Sequence, residues 1–296
     1  MYCKQLLKLI VLGSGLALSS AVLAGPLNIL WYTGGIVSGG SSISDYNTAV
    51  SNLAALAPTS PGGNTWNITY WNTGAMPTGT FNALVIASPE GGWTTNPDYS
   101  ALQSAIGGGS VAFGNRLLLT GQDADWHYQN VPGPSAFDGP QGFLLDSINW
   151  AGSGTGMGLV ALGMDGVSGC SGGPALGLTG YTGQCNSSDS VQIPAAYASF
   201  PINTGLSSAG LSNWGTSAHA EFSALDPAMW IGINVDGNVP CSAGSLDCRY
   251  VTIVSAATGG GGIGTSVPEP ADLGMFGLGL LLMGGLLGAR RRHGEV

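Results

Sequence analysis

The pattern of hydrophobic residues between positions 25 and 163 alternates between two types of segment. Short apolar runs predict buried strands, and the runs are "LNILWY" at 27–32, "TWNITYWN" at 65–72, "NALVIAS" at 82–88, "NRLLLTG" at 115–121 and "GLVALG" at 158–163. Segments with apolar residues three or four positions apart predict helices, and these are 44–57, 98–107 and 140–152. Strands separated by helices favour an α/β fold, with a mostly parallel sheet flanked by helices.

The C-terminal part of the folded region has a different pattern. The segments 229–237 and 249–256 predict two antiparallel strands, and a Cys241–Cys248 disulfide would close the loop between them. An all-β sandwich is the alternative fold, since Gly, Ser and Thr are abundant. The segment 44–57, for which Ser44 is the predicted cap, argues against it because its apolar spacing fits a helix.

The two ends of the chain predict export and a membrane tether. Residues 1–24 combine two lysines, a short apolar run and a small-residue exit, as in a secretory signal peptide. A globular domain at 25–255 and a Gly-rich linker at 256–266 follow. The uncharged stretch 273–289 just reaches the length of a transmembrane helix.

The C-terminal residues resemble a known sorting signal. Val267, Pro268, Glu269 and Pro270 precede the apolar stretch, and Arg290, Arg291 and Arg292 follow it. This order is similar to the PEP-CTERM signal of Gram-negative bacteria, which spans 267–293 here. The resemblance implies export across the inner membrane, recognition of the Pro-Glu-Pro motif by an exosortase, and arginines that stay on the cytoplasmic side. It also implies tail processing and a final place at the cell surface or in an exopolysaccharide matrix.

Charge and cysteine content agree with an exported protein. Residues 25–268 contain thirteen Asp and Glu but only two basic residues, Arg116 and Arg249, and this net charge of −11 excludes nucleic acid as a partner. The partners expected are the secretion machinery with signal peptidase, the exosortase and exopolysaccharide. Four cysteines follow the signal peptide, and an even number favours two disulfides. Cys170–Cys185 and Cys241–Cys248 are the preferred pairs.

Candidate chemistry lies after the predicted strand at 115–121. Asp123, Asp125 and His127 occupy alternate positions there, so an extended segment would present all three on one side. Such a set could bind a cation or move a proton, or it could form only a turn. His219 and Glu221 form a later His-x-Glu pair.

An α/β sheet with a strand-to-turn elbow and a later His-x-Glu resembles the class I glutamine amidotransferase-like fold. That resemblance implies that the elbow and His219 face one crevice, so Asp123 and Asp125 are expected near His219. The elbow reads "TGQDAD" and lacks the cysteine or serine that the family's covalent chemistry needs.

The expected function is therefore that of an exported, non-catalytic surface or matrix protein. No cofactor is expected, and a bound divalent cation stays open without support. Two alternatives remain. One is a secreted hydrolase using the acidic and histidine residues, and the other is a glycan-binding module with four exposed tryptophans, Trp66, Trp71, Trp93 and Trp126.

Overall fold

A parallel sheet forms the first half of the domain. The computed structural model describes residues 25–36, 43–89, 98–130, 137–163, 176–239, 241 and 248–256. Five strands run parallel in the spatial order β2-β1-β3-β5-β4. Their bounds are β1 Leu27–Tyr32, β2 Trp66–Trp71, β3 Ala83–Ile86, β4 Phe113–Thr120 and β5 Met157–Ala161.

Helices cover both faces of this sheet, which explains why its central strands are apolar at consecutive positions. On β1, Ile29 and Trp31 belong to one buried cluster, whereas Leu30 and Tyr32 belong to another. Helices α1, Ile43–Leu56, and α4, Pro140–Gly152, contribute to the first cluster, and α2, Ser100–Gly107, contributes to the second. A short helix α3, Ala124–Asn130, lies between β4 and α4 in the chain.

Antiparallel strands extend the sheet beyond β4. They are β6 Thr182–Ser188, β7 Val191–Gln192, β8 Ala218–Ser223, β9 Trp230–Asp236 and β10 Tyr250–Ser255. Strand β10 pairs with β4 on one side and with β9 and β8 on the other. The predicted antiparallel pairing of the two C-terminal segments is therefore confirmed, and the Cys241–Cys248 disulfide closes the loop between them.

The α/β class is confirmed, and the all-β alternative is wrong because α1 and α4 contact strands of the sheet and α2 belongs to the buried cluster on its other face. The prediction of a helix at 140–152 matches α4 at both ends. The prediction that Ser44 caps α1 is wrong, since the helix already includes Ile43. The sequence pattern did not predict α3, β6 or β8 as separate elements.

Several predictions fall outside the described residues. These are the signal peptide, the linker after Ala256, the sorting motif with its apolar stretch and arginines, Cys170 and Trp93. Cys185 is disulfide-bonded. Its predicted partner, Cys170, lies outside the described residues. Among the helices that the structure does describe, none has the length and apolar character needed to cross a bilayer.

Candidate functional site

The candidate site begins at the carboxyl end of β4, where ligand-binding residues of open α/β sheets collect. Asp123 is the last residue before α3, and its backbone carbonyl accepts hydrogen bonds from the N–H groups of Trp126 and His127. The chain is therefore helical, not extended, from Ala124 onward. Because residues four apart share a helix face, His127 returns to Asp123 while Asp125 points elsewhere, and the expectation that all three share one side is wrong.

Gly121 allows strand β8 to approach this elbow. A Cβ atom at Gly121 would overlap the backbone carbonyl of Ala220, so only glycine fits this crossing. The His219 N–H donates to the Gly121 carbonyl at 2.8 Å, and the Gly121 N–H donates to the Val251 carbonyl at 2.9 Å. These backbone contacts place the His219 side chain beside Asp123.

Asp123 lies between two imidazole rings. Its Oδ1 is 3.1 Å from His127 Nε2, and its Oδ2 is 3.4 Å from His219 Nε2. One ligand atom from each of the three residues lies within 4.8 Å of the others. The Asp123 and His127 side chains are 2% exposed and that of His219 is 26% exposed. The expected approach of the acidic elbow to His219 is thus confirmed for Asp123.

The two histidines stabilise the ionised form of Asp123. Burial alone would raise the pKa of this carboxyl group. The electrostatic interactions of the two nearby imidazoles with the carboxyl group outweigh burial, and the pKa of Asp123 ends below its ordinary value. The group is a carboxylate at neutral pH.

Aromatic rings and one carbonyl group fix the position of His127. Its ring lies 4.6 Å from that of Trp126, edge to face, and 5.1 Å from that of Trp214. His127 Nε2 lies 3.1 Å from the Thr216 carbonyl oxygen, and it donates a hydrogen bond there when it carries the ring proton. The ring is therefore held on three sides and cannot turn away from Asp123 without disturbing the core.

The Asp125 carboxylate forms hydrogen bonds that link three elements and does not contact the two histidines as Asp123 does. Its Oδ2 accepts a 2.6 Å hydrogen bond from the Tyr46 hydroxyl of α1 and a 2.9 Å bond from the Ser88 N–H after β3. The Trp31 indole N–H of β1 donates in turn to the Tyr46 hydroxyl at 3.1 Å. Burial raises the pKa of Asp125 to about 6, with the hydrogen bonds from Tyr46 and Ser88 opposing it.

Glu221 belongs to a neighbouring polar cluster. It is 1% exposed, and its Oε2 accepts from Arg249 Nη1 at 3.2 Å and from Gln184 Nε2 at 3.1 Å. Burial and a hydrogen bond with Asp236 raise the pKa of Glu221, while Arg249 opposes the rise. These contacts tie β6, β8 and the residue before β10 together.

Two of the three described tryptophans of the predicted glycan-binding set are not exposed. Trp66 is 6% exposed and Trp71 is 3% exposed, so both belong to the core. Trp126 is half-buried against His127. The expectation that Trp66 and Trp71 are exposed is wrong.

Sequence reasoning missed the residues that position the site. Gly121, Tyr46 and Thr216 are neither carboxylic acids nor histidines, so a search for those residue types overlooks them. A glycine directly after an apolar strand is the one signal that could have indicated a close backbone approach.

Comparison of the chain with protein-family models, with curated proteins and with solved structures finds no match to any of them. Two imidazoles and one carboxylate can hold a proton or a cation between them.

Proposed function

We propose that this chain is an exported protein that an exosortase sorts to the cell surface or to an exopolysaccharide matrix, and that its central domain is non-catalytic. The sequence features at both ends support the sorting. The Cys241–Cys248 disulfide supports an oxidising compartment, because such bonds persist outside the cytosol.

The proposal that the domain is non-catalytic rests on the identity and surroundings of the elbow residue. On this proposal the domain is a relative of the class I glutamine amidotransferase-like fold, in which the elbow and a later histidine face each other. Here the elbow residue is Asp123, which is buried and held by both His127 and His219. A carboxylate fixed in this way is a weak nucleophile, and it cannot form the thioester that amidotransferase chemistry requires.

A secreted hydrolase is the second candidate, and the 3.4 Å contact between Asp123 and His219 favours it. Release of reducing ends from the producing cell's own exopolysaccharide by the wild-type protein, but not by His219→Ala, would support this candidate. It would also contradict the non-catalytic proposal.

Intact-mass measurement on protein recovered from the cell envelope tests the sorting. We expect a mature form that begins at Gly25 and lacks the tail after the Pro268-Glu269-Pro270 motif. A strain without its exosortase is the control, and its protein should retain the stretch 273–289. A full-length tail in most molecules from cells that contain the exosortase would contradict sorting and favour a permanent anchor.

A further inference from the structure

Three side chains at the elbow form a donor set suited to a transition metal. Asp123 supplies a carboxylate oxygen, and His127 and His219 each supply an imidazole nitrogen. Zn²⁺ binds such mixed nitrogen and oxygen sets, with three protein ligands and one open position in many sites. Ca²⁺ and Mg²⁺ prefer oxygen ligands alone.

The separations between the donor atoms fit one ion. Ligands at about 2.0–2.1 Å from a tetrahedral zinc lie about 3.3–3.4 Å from one another. The Asp123–His127 and Asp123–His219 donor pairs lie 3.1 Å and 3.4 Å apart. An ion can therefore enter with only small movements of these side chains.

An unsatisfied oxygen marks the centre of the cluster. Within the described part of the chain, no hydrogen bond reaches Asp123 Oδ1, although this atom is buried. His127 Nε2 lies 3.1 Å from this oxygen and 3.1 Å from the Thr216 carbonyl oxygen, and in the tautomer that carries the proton on Nδ1 its lone pair is available to an ion. A buried carboxylate oxygen without a donor is costly, and a bound ion is one of the explanations for such an atom.

From these observations we propose that Asp123, His127 and His219 bind one divalent transition-metal ion, of which Zn²⁺ is the best match. The exposed part of His219 marks the side on which a solvent molecule would complete the coordination. The inference does not depend on how the chain is sorted, because it rests on the folded domain alone.

Titration of the metal-free full chain, carrying no polyhistidine tag, with Zn²⁺ in a calorimeter tests the site. We expect one Zn²⁺ per chain and a higher melting temperature in its presence, because an ion that binds only the native state stabilises it. Co²⁺ should bind at the same place and give the visible absorption of a tetrahedral site. Ca²⁺ at the same concentration should produce neither effect.

The chain has only three histidines, which provides a matched control. His219→Ala should weaken Zn²⁺ binding by about 100-fold or more, while His293→Ala should leave the affinity unchanged. Asp123→Asn tests the carboxylate, and circular dichroism checks that each variant is folded. Because His219 is partly exposed, His219→Gln provides a second variant if the alanine variant unfolds. Absence of Zn²⁺ binding by the wild type, or full affinity in folded His219 variants, would overturn the proposal.

Discussion

Tyr46 shows how a single side chain can hold the site without touching its reactive groups. Its hydroxyl accepts from Trp31 and donates to Asp125, so one oxygen links β1, α1 and α3 inside the core. Asp125 is next to Ala124, at the start of the helix that carries His127. A buried polar chain of this kind is stabilising only while every member has its partner.

Replacing Tyr46 by Phe should therefore destabilise the full chain by about 2–3 kcal/mol, since it removes one of the two hydrogen bonds to Asp125 Oδ2 and leaves the buried Trp31 indole N–H without its acceptor. Urea unfolding measures the change. Tyr70→Phe is the matched control, because this half-buried hydroxyl donates to the Asn47 carbonyl near solvent, and it should cost about 0.5 kcal/mol. Equal losses of stability in the two variants would show that the buried Trp31–Tyr46–Asp125 hydrogen bonds stabilise the protein no more than the Tyr70 hydrogen bond does.

At the scale of elements, the elbow after β4 and strand β8 form the site together. Strand β8 reaches the elbow only because Gly121 has no side chain. The hydrogen bond from the His219 N–H to the Gly121 carbonyl then positions the His219 imidazole ring. The crossing therefore couples the packing of two strands to the geometry of three functional side chains.

Gly121→Ala should push β8 away from the elbow and destabilise the chain by about 2 kcal/mol or more, because a backbone atom cannot yield as a flexible side chain can. Gly107→Ala is the control. Gly107 ends α2 with open space around it, so alanine there should raise stability by about 0.5–1 kcal/mol. Thermal melting compares the two variants, and an unchanged melting temperature for Gly121→Ala would contradict the importance of the crossing.

The parallel half of the sheet could be predicted because its strands are buried on both faces and so carry continuous apolar runs. Strand β6 could not, since its sequence "TGQCNSS" is polar and it lies at the end of the sheet. Helix α3 was missed because seven residues give little periodicity, and because Asp123, Asp125 and His127 fall on alternate positions, which also fits a strand.

The candidate site was predictable only in part. Ninety-six positions separate Asp123 from His219, and no local pattern specifies that distance. The expectation that they meet came from a resemblance to a fold, whereas the role of Gly121 and the turn of Asp125 toward Tyr46 depend on packing between elements distant in sequence.

At the scale of the whole molecule, the scarcity of basic residues affects the protonation of buried carboxyl groups. With two basic residues between 25 and 268, few acids can find a positive partner. Asp146 of α4 is buried beside a cavity lined by Arg116 and Trp150, and burial raises its pKa to about 8. The folded domain thus keeps this carboxyl group protonated at neutral pH.

This raised pKa predicts a direction for the pH dependence of stability. An aspartate in the unfolded chain titrates near pH 3.9, so between about pH 4 and pH 8 folding takes up a proton at Asp146. The contribution of Asp146 is most favourable below about pH 4 and is lost as the pH rises toward 8. Asp146→Asn removes this dependence, because the amide stays neutral.

We therefore expect Asp146→Asn to be more stable than the wild type at pH 8, by about 5 kcal/mol if the full shift holds, and nearly equal to it at pH 4. Urea unfolding of the full chain at both pH values measures the difference. Asp226→Asn is the control for replacing a carboxylate by an amide at an exposed position, where the Asp226 carboxylate accepts a hydrogen bond from the Ala228 N–H. An Asp146→Asn variant that gains no stability relative to the wild type between pH 4 and pH 8 would show that the Asp146 carboxyl is ionised in the folded protein, and the cavity beside α4 would then have to be open to water.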